Sequence, residues 1–426
     1  MLKNYSYQMY EMAHAALVPA RAISDASLLF FRSPFNPLSH TAFGRNLAAG
    51  AEMFERLTRR YGKPSFGLHA TTVNGVRREV TEEVVWRRPF CSLIHFAREG
   101  LETVGGPKLL LVAPMSGHYA TLLRGTVDAF LPTHDVYITD WADARMTPLS
   151  AGSFDLDDYI DYLIEIFGAL GPGVHAIGVC QPAVPLIAAV ALMEARDQSC
   201  LPASMTLMGG PIDTRRSPTE VNKLAERRGV EWFRINCLQT VPFPYPGFGR
   251  SVYSGFLQLS GFMAMNLDRH VGAHVEMFNH LVAGDGDSAE KHRDFYDEYM
   301  AVMDLTAEFY MQTVETVFVR HLLPKGEMFH RGEPINLSAI RRVGLMTVEG
   351  ENDDISGVGQ TEAAHDLCVN LPAELKRDHV QEKVGHYGVF NGSRFRRHVA
   401  PAIVSFHHHV DALKARATSQ RRLRAV

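Results

Sequence analysis

The chain has 426 residues, of which 46% are hydrophobic and 21% charged, and its formal net charge is -4. This composition is typical of a folded protein with a large apolar core, and the small negative charge gives no argument for nucleic-acid binding. The five cysteines are scattered, with no pair or Cys/His cluster at zinc-binding spacing, so we expect free thiols in a reducing compartment and no metal site.

Residues 1–70 are expected to form an N-terminal helical segment. Apolar residues such as Met9, Met12 and Leu17 recur there at helical spacing. A secretory signal would show a basic start, an apolar middle and a small-residue cleavage site, and this segment does not. An uninterrupted run of about 18 apolar residues, which a membrane-spanning helix needs, is also missing from the sequence. We therefore predict a cytoplasmic protein without a membrane span.

Strands and helices alternate between residues 71 and 212. The apolar runs 108–113 and 204–208 have the continuous pattern of parallel strands that are buried on both faces. Between them, residues 155–170 carry an apolar stripe at helical spacing, with acidic residues in the first turn. This alternation predicts an α/β protein with a mostly parallel central sheet and right-handed crossovers.

The alternation stops between residues 213 and 340, where the sequence shows helical and irregular segments but no clean strand. Strand-like runs resume at 343–348 and 379–384, and each is followed by a helical pattern. This arrangement predicts a core formed by residues 71–212 and 341–426, interrupted by a mainly helical cap or lid at 213–340.

Cys180 lies between an apolar run at 174–179 and a buried helical pattern at 186–193. A strand that turns sharply into a helix, with a nucleophile at the turn, is the elbow of an α/β-hydrolase. Gly178 allows the turn to close, and the following helix N-terminus favours negative charge on the sulfur. The alternative is a buried structural cysteine, as most free cysteines are.

A thiol nucleophile needs a base to take its proton and an acid to orient that base. In α/β-hydrolases they follow the nucleophile in the order acid, then base, each on a loop after a later strand. Asp353 and Asp354 follow one predicted strand, and His386, bracketed by glycines, follows the next. We favour Asp353 because it is nearer the strand end, while Asp354 and Asp213 remain rival acids. His386 could instead be a loop histidine bonded to backbone.

The oxyanion of an acyl-transfer reaction needs two hydrogen-bond donors. The backbone N–H of Gln181, directly after the nucleophile, is one candidate. The other should come from the loop after the 108–113 strand, where Met115 and Ser116 are placed to supply it. The alternative for this loop is a plain tight turn.

Residues 242–248 contain three prolines at alternate positions, which cannot donate to a ladder or a helix. Phe243, Tyr245 and Phe248 in this segment could line a mouth that accepts an apolar, extended chain. Most other apolar residues of the predicted cap are expected to be ordinary core.

The segments 178–182, 349–361 and 385–392 resemble those of bacterial intracellular polyhydroxyalkanoate (polyhydroxybutyrate) depolymerases, and residues 9–12 also fit. The resemblance covers nearly the whole chain. It implies an α/β-hydrolase with a Cys–Asp–His triad that acts on storage-granule polyester. By motif, Cys180 would be the nucleophile, His386 the base and Asp353 the orienting acid. Pro182 stands where the related polyester synthases tend to have glycine, which separates this chain from them.

The sequence thus predicts a depolymerase that hydrolyses poly(3-hydroxybutyrate) granules to 3-hydroxybutyrate monomer and oligomers through a thioacyl-enzyme, without a cofactor. The expected partner is the polyester granule, and a homo-oligomer is left open. Three alternatives remain. The acyl group could pass to coenzyme A or, as in a synthase, to a growing polymer; the substrate could be a soluble ester or thioester; or the chain could bind granules without catalysis.

Overall fold

A nine-stranded sheet runs through the part of the chain that the structure, a computed structural model, describes: residues 5–101, 106–265, 267–283 and 286–424. The strands, in chain order, are β1 (Ala70–Val73), β2 (Val76–Arg88), β3 (Cys91–Arg98), β4 (Lys108–Val112), β5 (Asp135–Trp141), β6 (His175–Val179), β7 (Ser204–Met208), β8 (Leu238–Thr240), β9 (Ser251–Tyr253), β10 (Leu305–Thr306), β11 (Phe329–His330), β12 (Glu333–Pro334), β13 (Gly344–Gly350) and β14 (Lys376–Gln381).

The α-helices, in chain order, are α1 (Tyr5–Ala16), α2 (Val18–Arg32), α3 (Ala42–Thr58), α4 (Arg124–Phe130), α5 (Leu156–Leu170), α6 (Ala183–Ala195), α7 (Glu220–Asn236), α8 (Gly255–Met265), α9 (Leu267–Ala283), α10 (Gly286–Tyr299), α11 (Ala307–Thr313), α12 (Leu322–Lys325), α13 (Ala363–Leu367), α14 (Gly392–Arg394) and α15 (Ala400–Arg424). Short π-helical segments follow α11 and α14.

The sheet has the order β1-β2-β3-β5-β4-β6-β7-β13-β14. Strands β1, β2, β3 and β5 pair antiparallel, and all pairs from β5 to β14 are parallel. The chain passes from β4 to β5 on one side and then crosses to β6 on the other, and such a reversal opens a crevice at the carboxyl ends of the strands. This topology is that of an α/β-hydrolase, so the predicted fold class is confirmed.

The core lies on both faces of the parallel strands. Every residue of β6, β7 and β13 is buried, so these strands show no alternation of buried and exposed positions, and polar residues such as Thr206 and Glu349 are buried with the apolar ones. Helix α6 is buried on all sides except at its final residue, Ala195. Each large apolar side chain that is fully buried in this way contributes roughly 1.5–3 kcal/mol to folding.

The segment between β7 and β13 differs from the sequence prediction. It contains helices α7 to α12, as expected, but also a small sheet of β10, β9 and β8 and a hairpin of β11 and β12. The expectation of no strand was therefore wrong. These strands have only two or three residues, which is too short to produce a recognisable alternation of apolar residues.

The last strand of the sheet also begins earlier than predicted. The sequence suggested 379–384, whereas β14 covers Lys376–Gln381. This edge strand has largely polar and part-exposed residues in its first half, so its pattern differs from that of the buried strands.

The N-terminal helices α1, α2 and α3 carry many exposed apolar side chains, and α2 has no buried residue. Together with Phe35 and Leu38, which lie in the connection between α2 and α3, the large ones are Met9, Met12, Val18, Ile23, Leu29, Phe30, Phe43, Leu47 and Leu57. We call this set the apolar N-terminal face. A helix of the length and hydropathy needed to cross a bilayer does not occur among the described residues.

Candidate active site

Cys180 is placed at a strained turn between β6 and α6. Its φ is +67°, in the left-handed region that costs a non-glycine residue roughly 1–2 kcal/mol. Its N–H donates to the Met208 carbonyl at 2.7 Å, and its carbonyl accepts from the Ala183 N–H at 3.1 Å. A Cβ on Gly178 would lie 3.0 Å from Leu186 Cδ2, so glycine there lets strand and helix approach. Strain of this kind is concentrated at functional positions.

His386 and Asp353 form a buried pair beside this turn. His386 Nδ1 donates to Asp353 Oδ2 at 2.8 Å, and the two side chains are 6% and 0% exposed. The other carboxylate oxygen accepts the N–H groups of Ile355 and Ser356, both at 2.8 Å. Cys180 is close enough to the His386 ring to act on its charge. The structure therefore brings the three predicted triad residues together in one row, with a hydrogen bond between His386 and Asp353.

The charges in this row act on His386. Burial by itself lowers the pKa of the imidazole, but the neighbouring Cys180 and Asp353 outweigh it and raise the pKa well above the ordinary value of 6.5. A raised histidine pKa favours an imidazolium, and an imidazolium stabilises a thiolate on the adjacent cysteine.

The rival carboxylates lie elsewhere. Asp354 is exposed. Asp213 is buried, but its two oxygens accept from the Arg215 guanidinium at 2.7 and 2.8 Å. Burial raises the pKa of Asp213, but the hydrogen bonds from Arg215 outweigh it and lower the pKa. Asp353 is the candidate acid that is hydrogen-bonded to His386.

Gly209, which the sequence reading did not identify, lies directly against the His–Asp pair. Its φ is +54°, and a Cβ there would be 3.2 Å from His386 Cε1 and 3.4 Å from Asp353 Oδ2. A side chain at this position would therefore push on both groups. The glycine pair that ends β7 was visible in the sequence, but its neighbours across the sheet were not.

Glu349 fixes the loop that follows Asp353. This buried carboxylate, near the end of β13, accepts the N–H groups of Gly359 at 2.8 Å, Thr361 at 2.6 Å and Glu362 at 3.2 Å. Burial raises its pKa although the three hydrogen bonds oppose that shift. The Thr361 hydroxyl in turn accepts from the Gly210 N–H at 2.8 Å. The acid loop is thus attached to the end of β7.

The loop after β4 faces the elbow. The Met115 N–H donates to Oε1 of the Gln181 side chain at 3.4 Å, and both residues are buried. Ser116 is half-buried. The amide of Met115 is thus directed at an oxygen atom beside the nucleophile, as the oxyanion prediction requires. The roles of Gln181, Met115 and Ser116 stay predictions.

The three predicted substrate contacts lie on the segment after β8. Phe243 is 80% exposed and Phe248 is 56% exposed. The Tyr245 hydroxyl donates to Glu11 at 3.0 Å, and the Arg145 guanidinium carbon lies 5.2 Å from the Tyr245 ring centroid. Tyr245 therefore attaches this segment to α1 and to the loop after β5, and a role of the three residues in substrate binding stays a prediction.

Further residues near the triad were missed by sequence reasoning. The ring centroid of Tyr387 lies 6.0 Å from that of His386, and Tyr299, at the end of α10, lies 6.1 Å from Tyr387. Tyr387 is adjacent to a predicted catalytic residue, which is a weak signal; Tyr299 had none. Within the described ranges, no cluster of three His, Cys, Asp or Glu side chains is arranged to hold a metal ion.

Comparison with known families bears on the C-terminal half of the chain. Residues 209–411 match the family model described as PHB de-polymerase C-terminus. This match covers just under half of the chain and is consistent with a PHB depolymerase family. The resemblance predicted from the sequence is therefore confirmed for these residues. The depolymerase domain contains Asp353 and His386, whereas Cys180 precedes it.

Solved structures similar to this chain include hydrolases of low identity. A thermophilic esterase from Thermogutta terrifontis is 13% identical over 80% of this chain and 97% of its own, with a TM-score of 0.39. A monoacylglycerol lipase from Paleococcus ferrophilus is 11% identical over 72% of this chain and 96% of its own, with a TM-score of 0.41. A membrane phospholipase A is 13% identical over 78% of this chain and 87% of its own, with a TM-score of 0.42. A search of curated proteins gave no match.

The depolymerase domain and the α/β-hydrolase topology together support ester hydrolysis as the class of reaction.

Proposed function

We propose that this protein hydrolyses the ester bonds of poly(3-hydroxybutyrate) or a related polyhydroxyalkanoate, with Cys180 as nucleophile. The observation that carries the proposal is the row of Cys180, His386 and Asp353 at the carboxyl edge of the sheet, in which His386 and Asp353 are hydrogen-bonded. The match of residues 209–411 to the PHB de-polymerase model supports this substrate class.

In the first step, His386 holds the proton of the Cys180 thiol, and the thiolate sulfur attacks an ester carbonyl carbon. The carbonyl oxygen becomes an oxyanion, which the backbone N–H groups of Gln181 and of Met115 or Ser116 stabilise. The oxyanion takes the place that the Gln181 carboxamide oxygen holds at the Met115 amide. The carbon–oxygen bond then breaks, and His386 gives its proton to the departing alcohol oxygen.

In the second step, water attacks the thioester carbonyl while neutral His386 takes one of its protons. The carbon–sulfur bond breaks, the sulfur leaves as thiolate, and His386 remains as its imidazolium partner. The sum of both steps is ester plus water giving a carboxylic acid and an alcohol. Asp353 accepts from His386 Nδ1 throughout and keeps the ring oriented toward the sulfur. Neither step calls for a cofactor.

The direct test uses purified protein with amorphous poly(3-hydroxybutyrate) and mass analysis of the products. The wild type should release 3-hydroxybutyrate and its oligomers, and Cys180→Ala should release none. Cys200→Ala is the matched control, because Cys200 is half-buried outside the site. An acyl adduct on Cys180, seen in the intact protein after rapid acid quench, would support the thioester. Polymer hydrolysis by Cys180→Ala would contradict the proposal.

The same assay separates the remaining acyl acceptors and substrates. Release of 3-hydroxybutyryl-CoA when coenzyme A is added would indicate a transferase, and lengthening of polymer would indicate a synthase. Cleavage of soluble esters or thioesters with no action on polymer would indicate a small-substrate hydrolase. Polymer binding without turnover would indicate a granule-binding protein.

We also propose that the apolar N-terminal face rests on the polyester granule in the cytoplasm. A concentration of exposed apolar side chains in one segment is typical of an interaction site. Phe35 is 94% exposed; it and Leu38 lie in the connection between α2 and α3, and the other members lie on the three helices. The proposed substrate is an insoluble and uncharged solid, which an apolar face can contact without leaving buried charges unpaired.

The granule proposal is tested by sedimentation with amorphous polymer. The triple variant Leu29→Ser, Phe35→Ser, Phe43→Ser should remain in the supernatant while wild type sediments. The control is Phe329→Ser, which removes an aromatic ring that is 55% exposed on β11. If the triple variant sediments with the polymer as wild type does, the proposal fails. A molecular mass that differs from that of wild type in analytical ultracentrifugation would then show that the face joins copies of this chain.

A further inference from the structure

A row of aromatic rings leads from the protein surface to the triad. Phe295 is 46% exposed, and its ring lies nearly parallel to that of Tyr299, with 5.6 Å between centroids and 19° between planes. Tyr299 is 4% exposed and lies 6.1 Å from Tyr387, whose ring is perpendicular to that of His386 at 6.0 Å. We call Phe295, Tyr299 and Tyr387 the aromatic track.

The track joins two separate parts of the chain. Phe295 and Tyr299 are four residues apart near the end of α10, so they lie on one face of that helix. Tyr387 follows His386 on the loop after β14. The face of α10 that carries the track is therefore turned toward the loop that supplies the proposed base.

The end of α10 is attached to the segment that follows the predicted oxyanion loop. The Glu298 carboxylate accepts from the Thr121 hydroxyl at 2.8 Å and also pairs with Arg124. His118 Nε2 lies 3.1 Å from the Tyr299 carbonyl oxygen, and burial lowers the pKa of His118 to about 4. His118 is therefore neutral at physiological pH and can donate to this carbonyl.

These contacts fix the track relative to the site. The Met303 N–H, just beyond α10, donates to the Gly117 carbonyl at 2.7 Å. The region of α10 is thus hydrogen-bonded to the loop that contains Met115, and through Tyr299 it contacts the loop that contains His386.

The track carries no formal charge at neutral pH. Burial, with smaller effects from neighbouring charges, raises the pKa of Tyr299 to about 12 and raises that of Tyr387 as well. Both phenols therefore keep their protons. An uncharged aromatic surface binds apolar groups by contact with the ring faces.

We propose that the aromatic track binds successive repeats of an apolar, extended polyester chain and guides it to Cys180. This inference rests on the proposed function and adds to it the place where units beyond the scissile bond are held. Phe295, which is exposed, contacts a unit remote from the sulfur, and Tyr387 contacts the unit beside the scissile ester. Tyr299 is buried and supports the Phe295 ring by stacking against it. Because the Tyr299 ring separates Phe295 from Tyr387, a single short acyl group does not reach both, so the site discriminates substrates by chain length.

The test compares kcat/KM along a series of 3-hydroxybutyrate oligomers, from a monomer ester to the tetramer. Phe295→Ala should lower kcat/KM for the tetramer on the order of tenfold, because the substrate unit that lies against this ring loses its apolar contact. The loss should shrink as the substrate shortens. Phe295→Tyr should restore the wild-type dependence on length because it keeps the ring. Phe329→Ala is the matched control, with no expected change at any length.

Two outcomes overturn the inference, and they differ from failure of the proposed function. If wild type cleaves no member of the series, the proposed function fails. If wild type prefers longer oligomers and Phe295→Ala keeps that preference, or if it loses activity equally at all lengths, the track does not bind the chain. Tyr299→Phe, with a melting temperature measured alongside, is the second variant, and it should retain the preference because the ring remains.

Discussion

The carboxyl edge of the sheet and the inserted segment hold their side chains in different ways. At the sheet edge, His386, Asp353 and Glu349 are buried, and hydrogen bonds between 2.6 and 3.2 Å fix their orientation. On α10, Phe295 and Tyr299 contact by ring faces, and Phe295 remains half exposed.

This difference separates two tasks. Charge-assisted hydrogen bonds are directional, so they can hold reacting atoms at fixed positions. Contacts between ring faces and apolar groups tolerate small shifts, which suits a surface along which a chain slides. We therefore expect changes at the sheet edge to affect the cleavage of every ester, and changes on α10 to affect the preference among substrates. Substitutions at four positions of the sheet edge test the first of these expectations.

The largest effect is expected for His386→Ala. Loss of the general acid and base should lower kcat by roughly 10²–10⁴-fold, equally for monomer esters and for polymer. The measurement is turnover of both substrates under identical conditions. If the variant still cleaves the monomer ester at the wild-type rate, the expectation for the sheet edge is wrong, because His386 would then act on substrate selection.

A smaller loss with a change in pH dependence is expected for Asp353→Asn. The Asp353 carboxylate is one of the groups that raise the pKa of His386, so its removal lowers that pKa. Activity needs the imidazolium, and the alkaline limb of the kcat/KM profile should therefore move to lower pH. Asp354→Asn, a change at the exposed neighbour, is the control. An unmoved alkaline limb would show that Asp353 is not the orienting acid.

The same shift has a consequence for stability. Because the pKa of folded His386 lies above 6.5, its protonated form stabilises the fold fully below pH 6.5, and this contribution is lost as pH rises through the raised pKa. In Asp353→Asn the loss should be smaller and should be complete at a lower pH, because only the folded-state pKa of His386 is lowered. Urea unfolding at a series of pH values measures it.

Gly209→Ala should reduce activity without removing a reacting group. The added Cβ would meet His386 Cε1 at 3.2 Å in a backbone conformation with φ of +54°. We expect a destabilisation of about 1–2 kcal/mol and a lower kcat, since the His–Asp pair must shift. Gly229→Ala is the matched control, because Gly229 also has a positive φ, of +68°, and has no atom within 4 Å of an added Cβ. If both variants lose equal activity, crowding of His386 is not the cause.

The smallest effect is expected from the backbone strain at Cys180. Cys180→Gly and Cys180→Ala both lack the thiol, but glycine accepts a φ of +67° without strain. Cys180→Gly should therefore be about 1 kcal/mol more stable than Cys180→Ala in urea unfolding. A more stable alanine variant would show that the elbow is not strained.

The sequence by itself determined the fold class and the resemblance to PHB depolymerases. Apolar runs such as 108–113 are local signals, and a strand buried on both faces is mostly apolar whatever its partners are. The elbow at Cys180 is also local, since a strand, a small residue and a helix meet within a few positions. Asp353 and His386 could be predicted as partners of Cys180 because α/β-hydrolases place the nucleophile, the acid and the base in that order along the chain.

Tertiary structure decided what depends on residues far apart in the chain. Asp353, rather than Asp213, is bonded to His386 because the loop after β13 returns to the elbow, and nothing in the composition of either loop encodes that. Likewise, Tyr299 and Tyr387 meet across the fold without any shared motif. Periodicity reports which face of an element is buried, whereas a site forms from contacts between elements. Those contacts are fixed by the packing of the whole chain.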